Sequence, residues 1–142
     1  MLIIFCLPFF HVYSQGNTGE PGDPVLLVGL TLDELVRRFG TPQSVYAVRG
    51  LEEWQDDVVF VYDHGDFFIY RDRVWKLGLR TVRGIRTGDT RAAVFLALGS
   101  RAESRGNSVL YPLDGAAWPL MLRCDFDRAD RVQAIYIYRT DF

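Results

Sequence analysis

The sequence predicts an α+β protein in which two tandem helix-plus-antiparallel-meander repeats share one sheet, with the helices on one face. The segments "GLTLDELVRRFG" (29–40) and "GDTRAAVFLALG" (88–99) both begin Gly-Xaa-Thr and reach a glycine after the same number of residues. Strand-like runs separated by turn residues follow each segment. The chain has 142 residues, 49% of them hydrophobic, which suffices for one core but not for two large domains. Two repeats of about 60 residues each are therefore expected to close one core together.

The N-terminal residues predict export. Residues 2–10 form an apolar run that is too short to span a bilayer, and Val12 and Ser14 are compact residues of the kind that signal peptidase accepts. We expect residues 1–14 to be a signal peptide, and the protein to be periplasmic, envelope-associated or secreted. No Lys or Arg precedes the run, so a buried N-terminal strand is the alternative. Residues 15–24, rich in Gly and Pro, predict a flexible leader.

The two repeats are expected at 25–81 and 82–142, each starting with a helix. Thr31 is a good N-cap, and Glu34 completes a capping box. Gly40 and Pro42 end the helix, and its apolar stripe consists of Leu32, Leu35, Val36 and Phe39. In the second repeat Thr90 is the cap, and residues 92–98 are apolar nearly all round, which indicates a more buried helix.

Antiparallel strands are predicted after each helix. In the first repeat they span 58–62, 66–70 and 73–79, and "YAV" (46–48) is a further candidate. In the second repeat "SVLYPL", "PLMLRCDFD" and "RVQAIYIYR" are the strands. The turns "DHG" and "RD" join the first set, and "DRAD" forms the last turn.

The alternation of side chains along the strands assigns each residue to one of two faces. A two-residue turn at His64-Gly65 predicts a helix-covered set in the first repeat, namely Val59, Val61, Phe68, Tyr70, Trp75, Leu77 and Leu79. The opposite set is Val58, Phe60, Tyr62, Phe67, Ile69, Val74 and Lys76. In the second repeat the predicted inside set is Leu120, Leu122, Cys124, Phe126, Val132, Ala134, Tyr136 and Tyr138. Its outward set is Met121, Arg123, Asp125, Gln133, Ile135 and Arg139.

A sheet with helices on one side leaves its other face uncovered. That face is predicted to be aromatic over the first repeat and charged over the second, and large apolar patches usually mark partner sites. The predicted partner-binding residues are Phe60, Tyr62, Phe67, Ile69, Asp63, His64, Asp66, Arg123, Asp125 and Arg139. The alternatives are that the leader, an extra strand, or a second copy in a homodimer covers this face.

Residues that could carry chemistry are few, and neither a catalytic residue, a metal nor a cofactor is predicted. His64 lies between Asp63 and Asp66, a pattern more typical of a hairpin tip than of a dyad because no nucleophile accompanies it. Cys124 alternates with apolar residues as a buried side chain would. The net charge of -2 shows no basic excess, which argues against a nucleic-acid partner.

An acidic segment around Trp54 is the alternative site. Glu52, Glu53, Asp56 and Asp57 surround this tryptophan, and paired carboxylates beside an aromatic ring are typical of glycosidases. A solvated loop anchored by one tryptophan is the simpler interpretation. A small-ligand or glycan-binding protein, or an enzyme using this region, is therefore an alternative hypothesis.

The repeat pattern resembles the BamE/SmpA/OmlA domain. The matching features are Gly29, Thr31, Gly40 and Pro42 with the strands up to residue 79, and Gly88, Thr90 and Gly99 with "DRADRVQAIYIY". Two such units in tandem are similar to the β-lactamase inhibitor protein fold, in which one sheet presents a concave binding face. The resemblance implies an exported, non-enzymatic protein-binding module of the cell envelope, whose partner would be an outer-membrane assembly component. An inhibitor of a secreted hydrolase is the alternative.

This chain departs from both relatives. BamE proteins carry one unit and a lipid-anchored cysteine, whereas this chain has two units and a poor lipidation signal at Cys6. The inhibitor protein is disulfide-bonded, whereas removal of residues 1–14 would leave Cys124 as the one cysteine here. The resemblance therefore implies an exported interaction module without implying a particular partner.

Overall fold

The computed structural model of the protein describes residues 22–51 and 56–141. The predicted signal peptide and most of the predicted leader lie outside these residues. Two α-helices, a large antiparallel sheet of eight strands and a small two-stranded sheet confirm the α+β class. The helices are α1 (Leu32–Phe39) and α2 (Arg91–Leu98). The strands are β1 Ser44–Val48, β2 Asp57–Tyr62, β3 Gly65–Tyr70, β4 Arg73–Leu79, β5 Thr81–Val82, β6 Ile85–Arg86, β7 Glu103–Arg105, β8 Ser108–Leu113, β9 Leu120–Phe126 and β10 Val132–Arg139.

Both helices begin and end as the sequence predicts. The Glu34 backbone N–H donates to Thr31 Oγ1 at 3.2 Å, and the Thr31 N–H donates to Glu34 Oε2 at 2.8 Å, which completes the capping box. In α2 the Ala93 N–H donates to Thr90 Oγ1 at 3.2 Å, so the threonine cap is present without a glutamate. Each helix reaches a glycine after its last residue, and a residue without Cβ is favoured at that position.

The large sheet has the strand order β1-β2-β3-β4-β10-β9-β8-β7. Each repeat contributes a four-stranded meander, and the last strands of the two meanders, β4 and β10, pair antiparallel at the centre. The two halves of the sheet are consequently joined by backbone hydrogen bonds along this seam. The outer strands are β1 and β7, and β5 with β6 forms a short hairpin between the repeats.

The two repeats attach their helices to the sheet through equivalent contacts. The Gly29 N–H donates to the Val74 carbonyl at 2.8 Å, and the Gly88 N–H donates to the Val132 carbonyl at 2.7 Å. These glycines open the two Gly-Xaa-Thr segments, and these valines occupy equivalent places in β4 and β10. The sequence repeat therefore corresponds to a repeated way of fastening a helix start to the central strands.

A single core lies between the helices and one face of the sheet. Leu35 from α1 and Val94 and Leu98 from α2 are buried in it. The sheet contributes a larger set of buried side chains: Tyr62, Phe67, Ile69, Val74, Leu77, Val109, Leu113, Leu120, Leu122, Cys124, Phe126, Val132, Ile135 and Ile137. Because both helices contact one cluster, they cover the same face, and the opposite face is referred to below as the open face.

The helix-covered face of β2 and β3 was predicted wrongly. The structure groups Phe60, Tyr62, Phe67 and Ile69 on one face, as expected, but places that set under α1 and packs it in or against the core. The turn comprises Asp63 and His64 rather than His64 and Gly65, a shift that keeps the two sets intact. Both sets are strongly apolar, so alternation identified the sets without showing which of them faces the helix.

A β-bulge in β4 mixes the predicted sets further. Phe68 pairs with Lys76 and Ile69 pairs with Val74, which leaves Trp75 as the extra residue. A bulge residue reverses the alternation along its strand. Val74 is therefore in the core, against expectation, and Trp75 is on the open face, although Leu77 is in the core as predicted.

A second bulge at the corresponding place in β10 has the same effect. Val132 pairs with Phe126 and Ala134 pairs with Asp125, so Gln133 is the extra residue. The predicted β9 faces are correct, but β10 is reversed after Val132. Ile135 is buried in the core, whereas three residues predicted inside lie on the open face: Ala134, Tyr136 and Tyr138.

Candidate functional site

The open face is rich in aromatic side chains near its centre, and β9 adds the charged pair Arg123 and Asp125. Its central members come from strands of both repeats, because β4 and β10 are neighbours. By register the face includes Tyr46, Val59, Val61, Asp66, Phe68, Trp75, Lys76, Leu110, Met121, Arg123, Asp125, Tyr136 and Tyr138. Both repeats contribute aromatic and charged side chains to this set, so the predicted contrast between an aromatic first repeat and a charged second repeat is absent.

A cavity of 390 Å³ lies in the open face over the β4–β10 seam. Six side chains from three strands line it: Trp75, Lys76, Arg123, Asp125, Tyr136 and Tyr138. We call this the seam cavity. Neither repeat could form it alone, because β4 belongs to the first repeat and β9 and β10 belong to the second.

Lys76 is the only lysine of the chain and lies among the aromatic rings of the seam cavity. Its Nζ is 3.8 Å from the ring centroid of Phe68, 4.9 Å from that of Trp75 and 5.4 Å from that of Tyr136. An ammonium at such distances is attracted to the negative ring faces. The Phe68 and Tyr136 rings meet edge-on with centroids 6.5 Å apart. Phe68 is only 8% exposed, although it is on the open face.

A buried carboxyl group lies beneath this cluster. Asp57 is 8% exposed, and its Oδ1 accepts a hydrogen bond of 2.8 Å from the Trp75 indole N–H. Burial raises the pKa of Asp57, an effect that the indole hydrogen bond and the Lys76 charge oppose. Burial likewise lowers the pKa of Lys76, and the Asp57 charge opposes that shift. The two groups therefore stabilise each other's charged forms without forming an ion pair.

We expect Asp57→Asn to make the protein relatively more stable as the pH rises. A carboxyl group whose pKa is raised by folding contributes stability that is full below its unfolded pKa and is lost as the pH rises through its folded pKa. The free energy of unfolding of the wild type should therefore fall relative to that of Asp57→Asn once the pH exceeds the ordinary value of 3.8. Urea unfolding of both proteins across this range measures the difference.

Trp75→Phe is the matched control for this effect. It removes the indole N–H, which is the strongest of the influences that lower the pKa of Asp57, so the total stability lost with rising pH should become larger and extend to higher pH. An Asp57→Asn difference that is constant with pH would contradict the assignment of a raised pKa.

The charges over the second repeat are paired within the chain. Arg123 Nε donates to Asp125 Oδ1 at 2.6 Å, and Ser108 Oγ donates to the same oxygen at 2.5 Å. The neighbouring Asp125 raises the pKa of Arg123. The Arg123 guanidinium is thus already neutralised, which distinguishes it from the ammonium of Lys76.

The predicted site residues do not form one site. Arg123 and Asp125 line the seam cavity, and Asp66 is on the open face opposite Gly78. Asp63 and His64 form the β2–β3 turn and line a separate cavity of 580 Å³. The remaining five, in and around the core, are Phe60, Tyr62, Phe67, Ile69 and Arg139.

Three residues predicted to bind a partner, Tyr62, Phe67 and Arg139, contact other parts of the molecule instead. The Phe39 ring of α1 lies 5.5 Å from that of Phe67 and 5.7 Å from that of Tyr62, centroid to centroid. Arg139 is at the end of β10, its guanidinium carbon 3.7 Å from the Trp118 ring centroid, with Asp141 as its ion-pair partner. These side chains are therefore engaged within the molecule rather than presented for a partner.

The sequence assigned the aromatic residues at the centre of the open face to the covered side: Phe68, Trp75, Tyr136 and Tyr138. The two bulges that place Trp75 and the tyrosines on the open face have no clear sequence signature. The available sequence signal was Lys76, the one lysine in a chain whose other Lys or Arg residues are all arginine. A single change of residue type suggests a specific role for the ammonium at that position.

The alternative site around Trp54 falls on residues 52–55, which lie outside the described residues. The two acidic residues of this segment that the structure describes are bonded within the molecule. Asp56 forms an ion pair of 2.9 Å with Arg49, and Asp57 accepts a hydrogen bond from the Trp75 indole. In the described part of the chain no group of three or more His, Cys, Asp or Glu could hold a metal ion. Burial raises the pKa of the Cys124 thiol to about 11, which makes it a poor nucleophile at neutral pH.

Together, the fold and the open face define a class of protein: an α+β module whose large sheet has one face covered by helices and an aromatic cavity with a lysine on the other. No family model matches the sequence, and no curated protein matches it. The fold is similar to the 1.5 Å crystal structure of an extracellular protein containing an SCP domain from Bacillus anthracis str. Ames. The TM-score is 0.57 at 13% sequence identity.

That similarity covers 91% of this chain and 49% of the other chain. This chain thus spans about half the length of the extracellular protein. At this identity the likeness shows a shared fold alone. Within residues 22–51 and 56–141, no helix is both long and apolar enough to cross a membrane.

Proposed function

We propose that this protein is an exported, non-catalytic protein-binding module of the cell envelope that binds its partner through the open face. The observation that carries this proposal is the seam cavity, in which aromatic rings from both repeats surround one lysine. Aromatic and cationic side chains of this kind dominate the energetics of protein interfaces.

The geometry favours a protein partner over a small substrate. The seam cavity is a depression in a sheet surface, and Tyr136 lies at the centre of that sheet, opposite Gly78 across the β4–β10 seam. Residues that dominate binding tend to cluster at the centre of an interface, and less important contacts surround them. Tyr46, 45% exposed on the outer strand β1, occupies such a surrounding position.

Export rests on the sequence pattern of residues 1–14, and the extracellular description of the B. anthracis protein is compatible with it. The partner class rests on the resemblance to BamE/SmpA/OmlA domains and to the β-lactamase inhibitor protein. An envelope-assembly partner would give the module a scaffold role. A secreted hydrolase as partner would make it an inhibitor.

Site-directed photo-cross-linking in the native cells tests the proposal. A photoreactive phenylalanine in place of Tyr138 puts the probe in the seam cavity, and the same residue in place of Leu96 puts it on α2, where the side chain is 88% exposed. We expect one defined protein to be captured from position 138 and not from position 96. Equal capture from both positions would contradict the assignment of the open face.

The purified captured protein then allows a matched pair of tyrosine substitutions to be compared. Tyr136→Ala should weaken binding by about 30-fold or more, and Tyr46→Ala by less than about fivefold, because central truncations cost about 2 kcal/mol or more and peripheral ones less than about 1. Calorimetry measures both, and thermal unfolding checks that the variants are folded. Equal effects would show that the seam cavity is not the centre of the interface.

A further inference from the structure

We propose that the seam cavity receives an acidic side chain, Asp or Glu, of the protein partner, with the Lys76 ammonium as its anchor. This inference rests on the proposed function and adds the chemistry that the partner must present at the centre of the interface.

Lys76 is a cation without an ionic partner in the described chain. The ion pairs among residues 22–51 and 56–141 do not include it. An ammonium has three N–H donors, and none of the side-chain hydrogen bonds within that part of the chain uses Lys76 as donor. Its contacts there are with aromatic rings, which leave its donors available to an oxygen acceptor.

The surroundings of Lys76 make an added carboxylate favourable. Aromatic rings and the sheet have removed part of the water around the ammonium, and its lowered pKa reflects that burial. A charge-assisted hydrogen bond to a carboxylate is stronger in such a setting than in bulk water. The partner's carboxylate would replace lost hydration by accepting from the free ammonium donors.

The two carboxylates in and beneath the seam cavity are both occupied. Asp57 approaches from β2 but is 8% exposed and is bound by the Trp75 indole. Asp125 approaches from β9 and accepts from both Arg123 and Ser108. The walls of the cavity carry two cations, Lys76 and Arg123, against one carboxylate, Asp125. The six lining side chains, without the buried Asp57 beneath them, therefore carry one positive charge in excess.

The charged side chains of the cavity favour an acidic side chain over a phosphate or a lipid headgroup. Phosphate recognition in proteins usually employs arginine clusters or several donors at once. Anionic membranes attract clusters of about four to eight basic residues, whereas this chain has a net charge of -2. A single ammonium between aromatic rings suits one carboxylate on a short apolar stem.

The test uses peptides selected by the full protein. A displayed library of random dodecapeptides is panned on wild-type protein, and a selected peptide is synthesised in its acidic form and with Glu→Gln or Asp→Asn. The dissociation constants of both peptides are measured with wild type, Lys76→Met and Arg123→Met. Because the chain has one lysine, lysine labelled with ¹³C at Cε gives one side-chain NMR signal to follow in each titration.

We expect selected peptides to contain an acidic residue whose neutralisation weakens binding to wild type by about tenfold or more. The same neutralisation should have little effect with Lys76→Met and should retain its effect with Arg123→Met. The Lys76 Cε signal should shift with the acidic peptide and much less with its amide form. Lys76→Gln serves as a second variant if Lys76→Met proves to be unfolded.

Three results would overturn the inference while leaving the proposed function intact. They are selected peptides without acidic residues, an equal effect of neutralisation in wild type and Lys76→Met, and an effect that depends on Arg123 instead. A Lys76 signal that responds to phosphatidylglycerol vesicles and to no peptide would overturn it in favour of a membrane surface. Selected peptides that bind Tyr136→Ala as well as wild type would instead count against the open face, and so against the proposed function.

Discussion

Replacing Phe67 with alanine is expected to lower the free energy of unfolding by about 4 kcal/mol, the usual cost of truncating a buried phenylalanine. Phe67 is 1% exposed. Its ring centroid lies 5.5 Å from that of Phe39 on α1 and 5.4 Å from that of Tyr62 on β2. Truncation leaves a cavity at the point where helix and sheet meet. Urea unfolding followed by circular dichroism measures the loss, which is a large part of the stability of a small domain.

Leu96→Ala is the control for Phe67→Ala. Leu96 is 88% exposed on α2, so its truncation should change stability by less than about 0.5 kcal/mol. The sequence alone placed Phe67 among the partner-binding residues of the uncovered face, which predicts loss of partner binding in a folded protein instead. A well-folded Phe67→Ala protein that fails to bind would restore that prediction and would contradict the face assignment of the structure.

Gly65→Ala is expected to destabilise the protein by about 3 kcal/mol or more, because two penalties combine. Gly65 has φ +142°, a conformation that residues with a side chain rarely adopt, and an added Cβ would lie 2.4 Å from the Gly78 carbonyl oxygen. That oxygen belongs to the backbone of β4 and cannot move without displacing the strand. Thermal and urea unfolding of the variant measure the combined effect.

Gly106→Ala separates the two penalties. Gly106 has φ +56° with nothing within 4 Å of an added Cβ, so its cost should be about 1 kcal/mol from backbone strain alone. Similar losses for Gly65→Ala and Gly106→Ala would show that β3 and β4 can separate enough to admit a methyl group.

The helices were predictable because their signals are local. Thr31, Glu34 and Gly40 act within one turn of α1, so a capping box and a terminating glycine can be identified without knowledge of the fold. The repeat of Gly29 and Gly88 also predicted that two units share a sheet. Equivalent hydrogen bonds from these two glycines to the central strands give the physical reason for the repeat.

The side of the sheet that the helix covers was not predictable from β2 and β3. Phe60 and Val59 are equally suited to a core, so alternation alone could not decide between their faces. The decision depends on the non-local contact between α1 and the ring of Phe67. The bulges at Trp75 and Gln133 were not predictable for a similar reason. The pairing between strands, and not the composition of one strand, determines where an extra residue is accommodated.

About half of the side chains that line the seam cavity could be placed on the correct face from the sequence. Arg123 and Asp125 were predicted to face outward, and they do so because β9 has no bulge. Lys76 was placed on the correct face. Its aromatic neighbours were not, since Trp75 and Tyr136 reach the open face only through the two bulges.

The pairing of β4 with β10 relates the two halves of the sheet by an approximate two-fold axis. Leu77 pairs with Ile137 and Leu79 pairs with Ile135, so the axis passes through the central pair, Gly78 and Tyr136. Such an arrangement is the expected product of duplicating a gene whose protein once paired with a second copy through this strand. An ancestral homodimer of that kind would have offered a ligand two equivalent orientations.

Divergence of the side chains has removed that equivalence. The position of Phe68 in the first half corresponds to that of Asp125 in the second, and the bulge residue Trp75 corresponds to Gln133. The backbone is therefore nearly symmetric, whereas side chains at equivalent positions of the open face differ in polarity. Under the proposed function, a partner would therefore meet two unlike halves, a difference that one fused chain can carry and two identical copies cannot.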